Sequence, residues 1–135
     1  MDVTTDALAN FDDDDLSNIY ALTKRGSVFR AAMETNVFNG RIAVVRDKGE
    51  IVGWCRTEAW EETEGCIWNT LEAYVDEHYR RRGVATLAAK ALYATYLHDT
   101  PGAVAVFAPP MMVVARSAGL SPTMFAKDGN RWMRA

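Results

Sequence analysis

The sequence predicts an α/β fold, a mixed and mostly antiparallel central sheet flanked by helices. Three observations predict it. The middle of the chain carries three β-rich runs separated by turn signals. A long amphipathic helical stripe follows, and then a short apolar strand. A helix between two strands makes those strands parallel neighbours through a crossover.

Asp12 to Asp15 is an acidic run just before Leu16, Ile19, Tyr20 and Thr23, which share one helix face. Carboxylates there cap free N–H groups and complement the helix dipole, so capping is preferred to acceptor binding as the reason for the run. Gly26 is a natural stop, and a second short helix is expected over Val28 to Glu34. Arg41 to Arg46 is rich in β-branched residues and reads as a strand. Asp47-Lys48-Gly49 is a turn, and Glu50 to Trp60 is the return strand. Glu61 to Gly65 closes a second turn, and Cys66 to Val75 is the third strand of the meander. From Val84 the period becomes helical through Leu87, Ala88, Ala91, Leu92, Thr95 and Tyr96. Pro101 and Gly102 end that helix. Ala103 to Ala108 is expected as a buried strand ended by Pro109 and Pro110, and Met111 to Ala118 as a short helix closed by Gly119. Met124 to Lys127 and Arg131 to Arg134 flank Asp128-Gly129-Asn130, a hairpin turn signal.

Composition bounds the function. The chain has 135 residues, 49% hydrophobic and 24% charged, which suits one domain spanning 1–135. Burial of roughly two thirds of the unfolded surface is enough for a core at this size. No apolar run reaches the ~20 residues of a membrane span, and Met1-Asp2-Val3 does not open a signal peptide, so a cytoplasmic protein is expected. The net charge of −3 argues against binding to a nucleic-acid backbone and is compatible with a cationic acceptor. Cys55 and Cys66 make neither a disulfide framework nor a metal site, and His78 and His98 stand alone, so no metal is expected. Both cysteines read as packing residues.

The chemically informative stretch runs from Tyr74 to Leu87, from a strand end through a basic loop into a helix. Ligands of α/β proteins bind where parallel strands end. The loop holds Arg80, Arg81 and Arg82, and Gly83 opens the helix. The first N–H groups of a helix have no intrahelical partner and form an anion site. Gly83 lets the backbone approach a ligand, Ala85 keeps the next turn small, and arginines add bidentate contacts to phosphate oxygens. The alternative is a solvated basic loop, but the order strand, loop, glycine, amphipathic helix favours a pyrophosphate cradle. The segment is neither a P-loop nor the dinucleotide fingerprint, because it lacks Gly-Lys-Ser/Thr and Gly-x-Gly-x-x-Gly.

The stretch Val75 to Ala85 resembles the acetyl-CoA signature of the GNAT superfamily of acetyl-CoA-dependent N-acetyltransferases. The family pattern is Gln/Arg-x-x-Gly-x-Gly/Ala, matched by Arg80, Gly83 and Ala85, with Arg81, Arg82 and Val84 between. The order of elements along nearly the whole chain is similar too. The resemblance implies that Tyr74, Val75, Arg80, Arg81, Arg82, Gly83, Val84, Ala85 and Thr86 bind acetyl-CoA. It implies direct transfer of acetyl to a primary amine of a small molecule or a protein, with a main-chain N–H near Val75 polarising the thioester carbonyl. Ordering the reactants can remove about 7–11 kcal/mol of barrier. Members often form homodimers, and the sequence leaves monomer and dimer open.

Two usual polar groups of the family are missing. The tyrosine four residues before the helix-ending glycine falls on Ala115, and the asparagine after the fifth strand falls near Ala108. Ser117 is the nearest hydroxyl, either a replacement acid or a residue that simply faces solvent. Glu72 is the acidic residue on the strand entering the site, either a base acting through water or an exposed residue paired with an arginine. Asn69 is a polar alternative on the opposite face of that strand. Trp54, Trp60, Trp68 and Trp132 are expected mainly in the core or on the sheet, with one or two able to line an acceptor cleft. A second reading is a GNAT-fold protein that binds a partner without catalysis.

Overall fold

The computed structural model describes residues 1–63, 66–100, 103–106, 109–122 and 131–134. Nine strands and four α-helices are found among them. The strands are β1 (Asp2–Ala7), β2 (Arg41–Asp47), β3 (Glu50–Thr57), β4 (Ala59–Thr63), β5 (Cys66–Thr70), β6 (Glu72–Val75), β7 (Ala103–Ala105), β8 (Leu120–Pro122) and β9 (Arg131–Arg134). The helices are α1 (Asp13–Leu22), α2 (Val28–Glu34), α3 (Val84–Thr95) and α4 (Pro109–Ser117).

One sheet has the order β1-β2-β3-β6 and is antiparallel throughout. The second has the order β4-β5-β7-β9-β8, with a parallel β5–β7 pair. The expected three-strand meander is present, but two of its strands are bent. Glu58 separates β3 from β4, and Leu71 separates β5 from β6, so two long runs pass through both sheets. The bends are pinned to each other. The Thr70 N–H donates to the Glu58 carbonyl at 3.0 Å, and the Thr70 hydroxyl accepts from the Glu58 N–H at 3.1 Å.

Burial explains the apolar run in β2. Ile42, Ala43, Val44 and Val45 are all fully buried, because the first sheet is covered on both faces. Ile42, Val44 and Trp54 pack against Ile19 of α1 and Phe29 and Met33 of α2. Ala43, Val45 and Cys55 pack against Val84, Ala88, Ala89 and Leu92 of α3. Asp12 caps α1 by accepting from the Asp15 N–H at 2.8 Å, as the acidic run predicts.

Three features differ from the sequence reading. β1 is an edge strand held in register on β2, from Asp2 opposite Arg46 to Ala7 opposite Arg41. Its Asp and Thr residues carry no apolar alternation, so only the neighbouring strand specifies it. Pro109 and Pro110 begin α4 instead of only ending a strand. Proline suits the first helical turn, where its missing N–H would have had no partner. The closing hairpin pairs β9 with β8 at Leu120–Pro122. The strand expected at 124–127 and the turn at 128–130 lie outside the described residues.

Candidate functional site

The site begins where the second sheet stops holding the first. β5 pairs with β7 only from Trp68 opposite Ala103 to Thr70 opposite Ala105. The Leu71 N–H donates to the Ala105 carbonyl at 3.0 Å, and beyond it β6 has no described strand on that side. Backbone direction alternates along a strand. Leu71 points towards β7, and the Asp76 N–H reaches back to the Val52 carbonyl on β3 at 2.8 Å. Ala73 and Val75 therefore turn their N–H groups towards the opening between the sheets. That gives the expected group at Val75 and adds one at Ala73.

The Arg80–Thr86 loop closes the far end of this opening. Gly83 caps α3 in the left-handed region, with φ of 75° and no side-chain capping bond. The first intrahelical bond runs from the Leu87 N–H to the Gly83 carbonyl at 2.9 Å. The N–H groups of Val84, Ala85 and Thr86 thus have no intrahelical acceptor. α3 sits unusually near the sheet here, since a Cβ on Gly53 would lie 2.6 Å from the Val84 Cγ1. Val75, Tyr79, Arg80, Arg81, Gly83 and the start of α3 line one cleft of ≈ 200 Å³. Seven of the nine residues expected to bind cofactor share it. Open amides, a left-handed glycine and two exposed arginines form a set of donors suited to a pyrophosphate.

The other two expected residues sit differently. Arg82 stacks on the Tyr79 ring, 5.1 Å from its centroid. Tyr74 packs on the α1/α2 face with Trp54 and Phe29. Arg80 lies over the Tyr74 ring and its Nε donates to the Val75 carbonyl at 3.2 Å, which anchors the loop to the strand edge. Tyr79 is a residue that sequence reasoning missed. Its hydroxyl donates to Asp47 at 2.8 Å, tying the loop to the β2–β3 turn. That hydrogen bond, with burial next, holds the phenol above its usual range.

Glu72 is half-exposed on β6 and ion-paired with Arg56. Of the two sequence readings, the pairing with an arginine is seen, and the carboxylate still borders a cleft. Ser117 is exposed at the end of α4 and is not among the described residues lining the Arg80–Thr86 cleft. Ala115 is fully buried, so it supplies packing and no hydroxyl. Asn69 is fully buried on β5. Trp54 is in the core, and Trp60 is half-exposed opposite Trp68. Cys55 is buried, and burial pushes its thiol pKa up, so it is no nucleophile. The Cys66 and Trp132 side chains lie outside the described residues. Among the described residues, no cluster of His, Cys, Asp and Glu is placed to hold a metal, and no helix is long and apolar enough to cross a membrane.

An opening between two sheets, ending at a helix start with free amides, defines the acyl-CoA N-acyltransferase class of fold. The model of the acetyltransferase (GNAT) family matches residues 8–110, and the chain belongs to that family. Solved structures are similar over nearly their full length. An acyl-CoA N-acyltransferase from Pseudomonas aeruginosa is 15% identical with a TM-score of 0.59, covering 100% of both chains. A ribosomal-protein-alanine N-acetyltransferase from Brucella melitensis is 14% identical with a TM-score of 0.60, covering 98% of this chain and 94% of its own. An aminoglycoside acetyltransferase from an uncultured soil metagenomic sample, in complex with sisomicin, is 16% identical with a TM-score of 0.61, covering 87% and 86%. No curated protein sequence matches the chain.

Proposed function

We propose that this protein is an N-acetyltransferase that takes acetyl-CoA at the Arg80–Thr86 loop and transfers acetyl directly to a primary amine. The observation that carries the reading is the convergence of seven motif residues on one cleft, at the mouth of a strand edge with no partner among the described strands. Acetyl-CoA would supply the activated acyl group. The loop amides and arginines bind its phosphates, and the Ala73 and Val75 N–H groups hold what enters the opening. An ammonium acceptor must first lose one proton, and Glu72, directly or through water, is the candidate to take it. The freed nitrogen bonds to the acyl carbon as the carbon–sulfur bond breaks, and a second amine proton balances the departing thiolate.

The acceptor class spans small molecules and proteins, since the similar structures include enzymes named for both. A second reading has a specific observation behind it. Ala115 is buried where many relatives carry the acidic tyrosine, and Ser117 does not line the phosphate cleft. On that reading the chain keeps the cradle and acts by docking on a partner protein.

Calorimetric titration with acetyl-CoA, followed by detection of CoA release with amines, separates the two. Gly83→Asp should abolish binding. It forces a side chain into the left-handed region and sets a negative charge against the phosphates. Undiminished affinity in that variant would remove the loop as the binding site. Binding without turnover on any amine would favour the partner-docking reading.

A further inference from the structure

A second cleft, of ≈ 310 Å³, opens on the α1/α2 face where the sheet splits. Val28, Phe29 and Ala32 of α2 form one wall, and Glu58 with Glu72 the other. Arg56 stands between them and is only 7% exposed. Its Nη1 donates to Glu72 and its Nη2 to Glu58, the latter at 2.7 Å. Its guanidinium carbon lies 4.1 Å from the Phe29 ring centroid.

The charges in this cleft do not balance. One buried guanidinium serves two carboxylates, which leaves a net negative charge on the wall. Each carboxylate meets Arg56 through one oxygen, Oε1 of Glu72 and Oε2 of Glu58. The second oxygen of each retains acceptor capacity, and both side chains are about two-fifths exposed. An ammonium entering here completes the charge balance. A carboxylate entering here meets two like charges, and among the described lining residues the one cation, Arg56, is buried with both Nη groups already held by those acids. Opposite the acids, Val28 is 88% exposed, an apolar side chain with little of its surface covered by the chain.

The position fits an acceptor. Leu71 and Glu72 mark the closed end of the opening, and Val75 is three residues further on, roughly 10 Å along the strand. An amine at Glu72 would meet an acyl group whose carrier is anchored at the loop.

We propose that Arg56, Glu58 and Glu72, with Val28 and Phe29, set the acceptor specificity: a cationic primary amine joined to an apolar group, without a carboxylate beside the amine. The inference rests on the N-acetyltransferase reading above. Free amines and peptide N-termini with an apolar first residue share this chemistry.

The test compares four acceptors with acetyl-CoA: phenethylamine, a C-terminally amidated tripeptide beginning with phenylalanine, free phenylalanine and ethanolamine. Amide product is measured by mass spectrometry. Phenethylamine, the tripeptide or both should exceed phenylalanine and ethanolamine in kcat/KM by at least about tenfold, and the better of the two identifies the source. Glu58→Gln should raise KM for the preferred acceptor by about tenfold and weaken its calorimetric binding in the absence of acetyl-CoA, while acetyl-CoA affinity is unchanged. Turnover that treats all four alike, or a Glu58→Gln variant with unchanged acceptor KM, overturns the specificity and leaves the N-acetyltransferase reading standing. Absence of acetyl-CoA binding overturns both.

Discussion

Arg81 combines backbone strain with a place in the lining of the proposed cofactor cleft. Its φ is +64°, in the left-handed region that costs a residue with a Cβ about 1–2 kcal/mol. Strain of this kind is kept at binding sites when the surrounding structure enforces it. Here Arg80, just before it, is fixed on the Val75 carbonyl, and Gly83, two residues on, is left-handed as well. Arg81→Gly should therefore separate stability from affinity. Glycine removes the strain but adds back about 0.5–1 kcal/mol of chain entropy, so stability should stay level or rise by up to about 1 kcal/mol. Acetyl-CoA affinity should fall about tenfold with the loss of a guanidinium at the phosphates. A melting curve and a titration on the same variant check both signs. Parallel losses of stability and affinity would mean that Arg81 holds the loop's shape. The basic loop was legible because its residues are consecutive. Tyr79 was not, because its meaning depends on Asp47, brought beside it only by the fold. Arg56 was missed for the same reason, since Glu72 lies on a different strand.

The element that aims the site is α3, and Gly53 on β3 sets how close it comes. A Cβ there would be 2.6 Å from the Val84 Cγ1 and 3.2 Å from the Tyr74 carbonyl oxygen. The first contact is with a short branched side chain in the core and the second with backbone, so neither yields freely. Gly53→Ala should cost about 1–3 kcal/mol by overpacking and push the start of α3 off the sheet. Acetyl-CoA binding should weaken although Gly53 is not among the described residues lining the cleft. The denaturant midpoint and the calorimetric affinity read the two effects, and an unperturbed affinity would uncouple the seating of α3 from the cradle. The long elements were legible from periodicity: α1 from Leu16, Ile19 and Tyr20, α3 from its apolar stripe, and β2 from its β-branched run. The breaks at Glu58 and Leu71 were not. They are made by cross-strand bonds of Thr70 with Glu58 and of Leu71 with Ala105, and no glycine or proline marks them.

At the scale of the whole molecule, the two sheets share their long strands and two cores back the first sheet. The β3–β4 and β5–β6 runs carry load between the sheets, and α3 contacts β1, β2, β3 and β6 as well as α4. Such sharing predicts one cooperative unfolding transition, as small domains usually show. The opening lies between β6 and β7, one strand from each sheet, with α3 at its end. A ligand filling it would tie all three together, so binding should shift the single transition as a unit. At 100 times its Kd, acetyl-CoA should add about 2.7 kcal/mol, which for a chain of this size is roughly 10 °C in Tm. A calorimetric melt with and without acetyl-CoA measures this. Two transitions, with only one moved by the ligand, would show that the β7–β9–β8 side unfolds on its own and that the cradle resides in β6 and α3 alone. One transition moved by about the expected amount, and left unmoved in Gly83→Asp, would show that the split in the sheet is both the binding site and the joint that holds the fold together.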